Sequence, residues 1–237
     1  MVGARSLAMG LNRLIDAGID ARNPRTAGRE LPAGRLKPWQ VGVFCTAALG
    51  LFLVAVYQLD PLVHWLWPIP VIGFVVYPYL KRFTWTCHAW LGVVDGLAPI
   101  GAWAAIRGEL PWQAWLLGAA VAAWIAGFDL PYALYDLEID RSQGLHSVAA
   151  RFGVKATFAG ARGLHALTVG LLVCVGAGLA VGSVYWLGVA AVAGLLAYEH
   201  ALVGPRDLRR LDTAFFTMNG VISVVFLAFV VADTLAW

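Results

Sequence analysis

The sequence predicts an all-α, polytopic bundle of transmembrane helices that forms a single integral membrane domain over residues 1–237. Of the 237 residues, 60% are hydrophobic and only 13% are charged, and the mean hydropathy is +0.73. Soluble domains average about 45–50% apolar and about 25% charged residues. The 11 tryptophans and seven tyrosines favour membrane interfaces, which suit their amphipathic rings. The net charge of +3 forms no basic stripe, so nucleic-acid binding is not expected.

Seven apolar segments have the ~20 residues that a helix needs to cross ~30 Å of hydrocarbon. Residues 1–20 are expected to be a partial helix, the last turns of a span whose beginning is absent. The seven complete spans are predicted at 39–58, 64–80, 88–106, 112–134, 160–181, 184–203 and 213–236.

Basic residues are concentrated in alternate connecting loops, whereas the opposite loops contain only Arg107. By the positive-inside rule, the basic loops are expected on the cytoplasmic side of the cytoplasmic (inner) membrane. The basic loops contain Arg22, Arg25, Arg29, Arg35 and Lys37; Lys81 and Arg82; Arg141, Arg151, Lys155 and Arg162; and Arg206, Arg209 and Arg210.

Two acidic motifs of three residues each lead into these basic loops. The spacing is four and four in the first motif and seven and four in the second, so each motif is expected on one helical face. Carboxylates near membrane depth are costly unless they are paired, hydrated or bound to an ion, so both motifs are functional candidates. The motifs are Asn12, Asp16 and Asp20, and Asp129, Asp136 and Asp140.

The four carboxylates at the helix ends predict a magnesium site. Like charges held together repel one another, and a divalent cation relieves this repulsion. Oxygen ligands select a hard ion such as Mg²⁺, which takes its remaining ligands from water and substrate phosphate. The alternative left open is that the acids form surface ion pairs with Arg13, Arg22 and Arg141. The expected ligands are Asp16, Asp20, Asp136 and Asp140.

Side chains near the acids are suited to bind a phosphate-containing anion. Arginine offers a planar two-point contact and lysine a compact charge. Lys81 follows Tyr77 by four residues, which places both on one helical face. The candidates are Arg22, Arg25, Tyr77, Lys81, Arg82 and Arg141.

Other polar residues lie within the spans. Asp95 is isolated, with His88 seven residues earlier on a similar face, so both are candidates for a binding pocket unless helix packing satisfies Asp95. Glu199 and His200 lie near a cytoplasmic helix end and are expected to reach water. The three cysteines and five histidines are dispersed, so neither a disulfide framework nor a soft-metal site is expected.

The motifs and their order resemble the UbiA superfamily of intramembrane aromatic prenyltransferases. They extend over residues 12–153, and the three helices that follow agree in number. The matching segments are Asn12-x3-Asp16-x3-Asp20, Asn23-Pro24-Arg25-Thr26, Arg29-Glu30-Leu31-Pro32-Ala33-Gly34, Tyr77-Pro78-x2-Lys81-Arg82, His88-x-Trp90-Leu91-Gly92, Asp129-x6-Asp136-x3-Asp140, Gly144-Leu145-His146-Ser147 and Ala150-Arg151-Phe152-Gly153.

The resemblance implies a nine-helix bundle, so the first helix and the start of the second would be missing from this chain. It implies Mg²⁺-dependent transfer of a polyprenyl group from polyprenyl diphosphate to an aromatic acceptor within the lipid bilayer. The acceptor would be 4-hydroxybenzoate or a 1,4-dihydroxynaphthoate, in ubiquinone or menaquinone biosynthesis, with His88 and Asp95 in its pocket. Arg13 stands where many members have an acid. With the His146-Ser147 pair, it makes the chain resemble the 4-hydroxybenzoate polyprenyltransferase-like branch, part of which serves menaquinone synthesis by the futalosine route.

Three other functions remain as alternatives. A CDP-alcohol phosphatidyltransferase is also an intramembrane Asp–Mg²⁺ enzyme, but its acids form one continuous motif, whereas 116 residues separate Asp20 from Asp136. A transporter is expected to place its acids near mid-membrane at broken helices. The remaining alternative is a purely structural membrane subunit.

Overall fold

The structure, a computed structural model, describes residues 1–236 of the chain, apart from the side chain of Phe216. Within this range the regular structure is helical and contains no β-strand, which confirms the predicted all-α class. A 3₁₀ turn covers Ala133–Asp136 and a π-helical turn covers Thr213–Thr217. The α-helices are α1 (Val2–Asp20), α2 (Pro38–Val56), α3 (Val63–Leu66), α4 (Pro68–Leu80), α5 (Cys87–Arg107), α6 (Trp112–Tyr132), α7 (Leu137–Ser142), α8 (Val148–Leu179), α9 (Ser183–Leu202) and α10 (Met218–Leu235).

In the described part of the chain, seven helical segments are long and apolar enough to cross a membrane, as the sequence predicts. Five match the predicted spans closely. The other two, Trp112–Ser142 and Val148–Leu179, are longer than predicted because the helix continues past the apolar stretch into residues that include charged side chains. The segments are Pro38–Val56, Val63–Leu80, Cys87–Arg107, Trp112–Ser142, Val148–Leu179, Ser183–Leu202 and Thr213–Leu235.

Helix α8 begins well before the predicted span 160–181. The Ser147 hydroxyl caps its first turn by accepting a hydrogen bond from the Ala150 backbone amide. Gly153 then adopts a φ of 80° and kinks the helix, so the first turn is set off from the membrane span. Hydropathy does not detect this turn because it carries the charged residue Arg151.

The order of the helices brings the ends of α1, α4 and α6 to one face of the membrane. Successive spans alternate in direction, so these three helices end where α5 and α8 begin. Helix α1 packs against α2 and α4, α5 packs against α4 and α6, and α6 packs against α8. The two acidic motifs, one on α1 and one at the end of α6 and beyond, therefore converge.

Two glycines let α5 and α6 approach closely. A Cβ atom at Gly92 would overlap the Ala122 carbonyl oxygen, and one at Gly96 would lie 2.5 Å from the Gly118 carbonyl oxygen. Small residues at helix contacts favour such close packing in membranes, where lipid supplies no hydrophobic driving force between helices. The contact holds α5 firmly beside α6.

The outward surface of the bundle is apolar. Trp65 is 85% exposed and Ile106 is 81% exposed, and other large apolar side chains are exposed on the same surfaces of the helices. Apolar surface of this extent needs a membrane or a partner to cover it. Together with the seven spans, it identifies an integral membrane protein.

We expect Gly92→Ala to lower the midpoint of thermal unfolding in detergent, because the added methyl group would push α5 away from α6. Overpacking of this kind costs about 1–3 kcal/mol. Gly101→Ala, on the same helix, is the control, since nothing lies within 4 Å of its Cβ position and alanine favours helix. Equal midpoints for the two variants would contradict the close packing of these helices.

Candidate active site

A cluster of polar side chains lies where α1, α4 and α6 end at the same membrane face. Asp16 is 2% exposed and Asp20 is 6% exposed, and both lie in the last turns of α1. Their spacing of four residues places them on one side of the helix. Burial of two carboxylates is costly unless cations and hydrogen-bond donors surround them.

Two residues that follow α4 balance the charge of Asp16. Lys81 Nζ lies 2.6 Å from Asp16 Oδ2, and the Arg82 guanidinium lies 3.5 Å from Asp16 Oδ1. Arg82 also donates a 2.8 Å hydrogen bond to the Ile15 carbonyl oxygen, and the Asn12 amide donates to Asp16 at 3.4 Å. These contacts join the end of α4 to the end of α1.

Asp20 is held by the loop that follows it. Arg29 lies 2.7 Å from its carboxylate and Arg13 lies 4.0 Å away, while the Thr26 hydroxyl donates to the Asp20 carbonyl oxygen at 3.0 Å. The sequence-based set of site residues omitted Arg29. Its signals were a place in a basic loop, which it shares with Arg35, and the motif Arg29-Glu30-Leu31-Pro32-Ala33-Gly34 of the family resemblance. In the structure the partner of Arg35 is the exposed Glu30.

The loop after the first motif also holds the second motif. The Asn23 amide donates to Asp136 Oδ1 at 2.7 Å, and Arg25 Nε donates to the same atom at 2.9 Å. A second Arg25 nitrogen donates to Asp136 Oδ2, which completes a two-point contact. The Asp136 carboxylate raises the pKa of the Arg25 guanidinium above its ordinary value. These contacts join the two motifs into one cluster.

The second motif does not lie on one helix, so the predicted common helical face is wrong. Asp129 is in α6, Asp136 is the last residue of the 3₁₀ turn, and Asp140 is in α7. The 3₁₀ turn breaks the α-helical register, so Asp129 and Asp136 face different partners, His88 and Arg25.

Asp129 forms a pair with His88 of α5. His88 Nδ1 and Asp129 Oδ2 are 2.7 Å apart, and His88 is 6% exposed. The sequence associated His88 with Asp95 instead. In the structure Asp95 is exposed on α5, where it is close enough to Asp129 and to Arg5 for a Coulombic interaction with each. Spacing along one helix cannot reveal a partner on the next helix.

Tyr77 and Asp140 lie in the same region. Tyr77 is partly buried one turn before Lys81 and is close enough to Asp129 for a Coulombic interaction. Asp140 is likewise close enough to Lys81 for a Coulombic interaction. The His146 backbone amide donates to the Lys81 carbonyl oxygen at 2.7 Å, so the loop after α7 is fastened to the end of α4.

The structure does not bring Arg22 and Arg141 into contact with the acids. Arg22 Nε donates to the Gly18 carbonyl oxygen at 3.2 Å, and Arg141 Nε donates to the Ala150 carbonyl oxygen at 3.4 Å. Both side chains are exposed, and both donate to backbone carbonyl oxygens rather than to carboxylates. Among the described residues, the predicted alternative of ion pairs is therefore wrong for Arg22 and Arg141, whereas Arg13 lies 4.0 Å from Asp20. The close partners are Lys81, Arg25 and Arg29.

The cluster combines oxygen ligands with cations that can exchange partners. Asp16, Asp20 and Asp136 each contact a lysine or arginine. Carboxylate and amide oxygens are the ligands that Mg²⁺ prefers, and the same cations suit phosphate oxygens. This set of side chains fits a diphosphate and Mg²⁺ bound together.

Residues 1–221 match the model of the UbiA prenyltransferase family. The chain belongs to this family. It is 34% identical to a 4-hydroxybenzoate octaprenyltransferase of Ralstonia nicotianae, over 86% of this chain and 69% of that protein. The apo structure of a UbiA homolog from Aeropyrum pernix K1 is similar at a TM-score of 0.89 and 28% identity, over 98% of this chain and 86% of that chain. A UbiA homolog from Archaeoglobus fulgidus, solved with GPP and Mg²⁺, shares the fold at a TM-score of 0.66 and 20% identity, over 98% and 83% of the two chains.

These matches confirm the family resemblance drawn from the motifs and the UbiA-like helical bundle. They also decide between the alternatives, since neither a CDP-alcohol phosphatidyltransferase nor a transporter belongs to this family of prenyltransferases. The roles of the individual site residues stay predictions, to be tested by substitution.

In this UbiA family member, we expect Lys81→Met to lower the midpoint of thermal unfolding, because the buried Asp16 would lose its nearest counter-charge. Removing one partner of a buried ion pair lowers the free energy of unfolding by about 3–5 kcal/mol. Because Lys81 is partly exposed, we expect a loss at or below the lower end of this range. Adding Asp16→Asn should restore most of the stability, since no unpaired carboxylate remains. Lys155→Met, at an exposed position, is the control. A double variant no more stable than Lys81→Met would contradict the pairing.

Proposed function

We propose that this protein transfers a polyprenyl group from polyprenyl diphosphate to the aromatic ring of 4-hydroxybenzoate, a reaction of ubiquinone biosynthesis. The observation that carries the proposal is the contact of Asn23 and Arg25 with Asp136, since it joins the two acidic motifs at one membrane face. Membership of the UbiA prenyltransferase family supports the reaction, and the name of the Ralstonia relative supports the acceptor.

The acidic residues are proposed to hold Mg²⁺. Their ligand atoms are oxygens only, which suits this hard ion. Bound Mg²⁺ would neutralise part of the diphosphate charge and make it a better leaving group. The Archaeoglobus homolog was solved with GPP and Mg²⁺, in agreement with this proposal. The ligands would be Asp16, Asp20, Asp136 and Asp140, with Asn12 beside them.

The basic residues are proposed to hold the diphosphate. Lys81, Arg25 and Arg29 contact carboxylates in the structure, and each can turn to a phosphate oxygen when the acids bind the metal instead. Arg25 is suited to a two-point contact because its guanidinium already makes one with Asp136. Substrate binding would thus exchange partners within the cluster.

Prenyl transfer then needs a leaving group held in place and a dry cavity. The bond between the allylic carbon and the diphosphate oxygen breaks, and its electron pair leaves with the diphosphate held by Lys81 and Arg25. The acceptor ring attacks the allylic cation through a ring carbon, and that carbon loses its proton. The spanning helices exclude the water that would capture the cation. Tyr77, one turn from Lys81, is the aromatic side chain proposed to stabilise the cation.

His88 is proposed to position the acceptor. Its Nδ1 atom bonds to Asp129, which fixes the ring, while Nε2 is buried and has no hydrogen-bond partner among the residues that the structure describes. A fixed imidazole nitrogen can bind a hydroxyl or carboxylate group of the acceptor. Asp95, two turns further along α5, is proposed to line the same pocket.

The site is proposed to face the cytoplasm from the inner membrane. The loops at its end of the bundle carry nearly all the basic residues, which favours a cytoplasmic location by the positive-inside rule. The polyprenyl tail would then enter the bundle from the lipid, while the diphosphate and 4-hydroxybenzoate reach the polar cluster from the cytoplasmic side.

The proposed reaction can be tested in membranes that contain the protein. They would be incubated with a polyprenyl diphosphate, Mg²⁺ and equal amounts of 4-hydroxybenzoate and 1,4-dihydroxy-6-naphthoate, with products identified by mass spectrometry. We expect prenylated 4-hydroxybenzoate, and its loss when the metal is chelated. A prenylated naphthoate as the main product would contradict the acceptor, and the absence of both products would contradict the reaction.

In the same assay, Asp136→Asn should reduce turnover by about 100-fold or more, because it removes a metal-binding carboxylate from the site of charge development. Asp207→Asn is the control, since Asp207 lies in an exposed loop where its partner is Arg209. Undiminished turnover in the Asp136 variant would rule out its proposed role.

Arg25→Lys should lower kcat/KM for the diphosphate donor by about 10- to 100-fold, because lysine keeps the charge but loses the two-point contact. A hydrogen bond to a charged group contributes about 1.5–3 kcal/mol, which corresponds to this range. Arg35→Lys is the matched control in the same loop, where Arg35 contacts the exposed Glu30. Equal kcat/KM values for the two variants would show that the Arg25 contact is not used.

A further inference from the structure

A second cluster of metal-binding side chains lies on α8 and α9, helices that carry none of the acidic motif residues. His165 Nδ1 is 3.0 Å from His200 Nε2 and 3.6 Å from Glu199 Oε1. His165 is 2% exposed and Glu199 is 0% exposed. The sequence-based expectation that Glu199 reaches water is therefore wrong.

The cluster lacks the hydrogen bonds that its burial requires. Both Glu199 carboxylate oxygens, His165 Nε2 and His200 Nδ1 are buried without a hydrogen-bond partner in the part of the chain that the structure describes. A hydrogen bond between the two imidazoles would satisfy one nitrogen of each ring, but it would leave the carboxylate without a donor or a cation. A carboxyl group buried in this way is either protonated or balanced by a counter-charge.

The distances match those between ligands of one metal ion. Zinc binds histidine nitrogen and carboxylate oxygen at about 2.0–2.2 Å, so two ligands at the tetrahedral angle are about 3.4 Å apart. The two measured separations, 3.0 and 3.6 Å, lie on either side of this value. All three ligand atoms lie within 4.8 Å of one another. Two histidines and a glutamate form a zinc-binding set that leaves one position open.

The surrounding helices hold the ligands in place. Gly127 of α6 leaves room for the His165 ring, because a Cβ atom there would lie 2.5 Å from His165 Nε2. The His165 and His200 ring centroids are 4.9 Å apart, and the Phe215 ring packs edge-on against His200 at 5.9 Å. Packed apolar neighbours fix the directions of the imidazole nitrogens and exclude water.

We propose that His165, Glu199 and His200 form a binding site for a divalent transition-metal ion of the zinc class, separate from the Mg²⁺ site. Imidazole suits zinc, cobalt and similar ions, whereas Mg²⁺ prefers oxygen ligands. The ion supplies the counter-charge that Glu199 lacks and binds His165 Nδ1 and His200 Nε2 in place of the hydrogen bond between them. It holds α8 against α9 within the membrane, and the site does not depend on the proposed prenyl transfer.

Cobalt is the probe for this site, because Co²⁺ bound by histidine in a tetrahedral site absorbs visible light. The detergent-purified protein would be stripped with a chelator and titrated with Co²⁺, in the wild type and in Asp16→Asn/Asp136→Asn, which disables the Mg²⁺ ligand set. We expect one equivalent of absorbing Co²⁺ in both proteins and its displacement by Zn²⁺. The absence of this absorption in the folded wild type would overturn the proposal.

Substitutions locate the bound ion. Glu199→Gln and His200→Gln should each lose the Co²⁺ absorption, whereas the exposed Glu109→Gln should keep it. Zn²⁺ should also raise the midpoint of thermal unfolding of the stripped wild type and of Glu109→Gln, but not that of Glu199→Gln. Unchanged Co²⁺ absorption in both cluster variants, or equal Zn²⁺ stabilisation of all the proteins, would place the metal elsewhere and overturn the proposal. If a cluster variant does not fold, the titration of the Asp16→Asn/Asp136→Asn protein still decides the question.

Discussion

The contact of Asn23 and Arg25 with Asp136 is the interaction on which the candidate active site depends. It connects residues more than 100 positions apart, and it does so through the loop that directly follows the first acidic motif. Without it, the two motifs would be connected only through the longer-range interactions of Lys81 with Asp136 and Asp140. The contact can form because α1, α4 and α6 end at the same membrane face, and this follows from the alternating direction of the spans.

Charge balance explains how the acids are tolerated near membrane depth. Asp16, Asp20 and Asp136 each have a basic partner: Arg25 and Arg29 come from the loop after α1, and Lys81 comes from the end of α4. A diphosphate with Mg²⁺ brings both anionic oxygens and a cation, so it can replace these internal pairs by new ones of the same kind. The cluster is therefore stable before substrate binds and is already suited to receive it.

The sequence predicted the spans and the location of the acids because both depend on local patterns. Apolar length determines a span, and a spacing of four residues places Asp16 and Asp20 on one face. It did not predict the turn before Asp136, since that turn depends on how the chain leaves α6. Nor did it predict the approach of His165 and His200, which are 35 residues apart on antiparallel helices and share no local pattern.

Helix α6 lies between the two polar sites. Its Asp129 bonds to His88 of α5, and its Gly127, two residues earlier, accommodates the His165 ring of α8. Residues two apart are separated by about 200° around a helix, so these contacts lie on opposite sides of α6. Because lipid provides no hydrophobic force to align helices, polar contacts and small residues have to fix their positions. A polar contact on one side and a closely packed glycine on the other thus set the position of α6, and with it the position of the turn that carries Asp136.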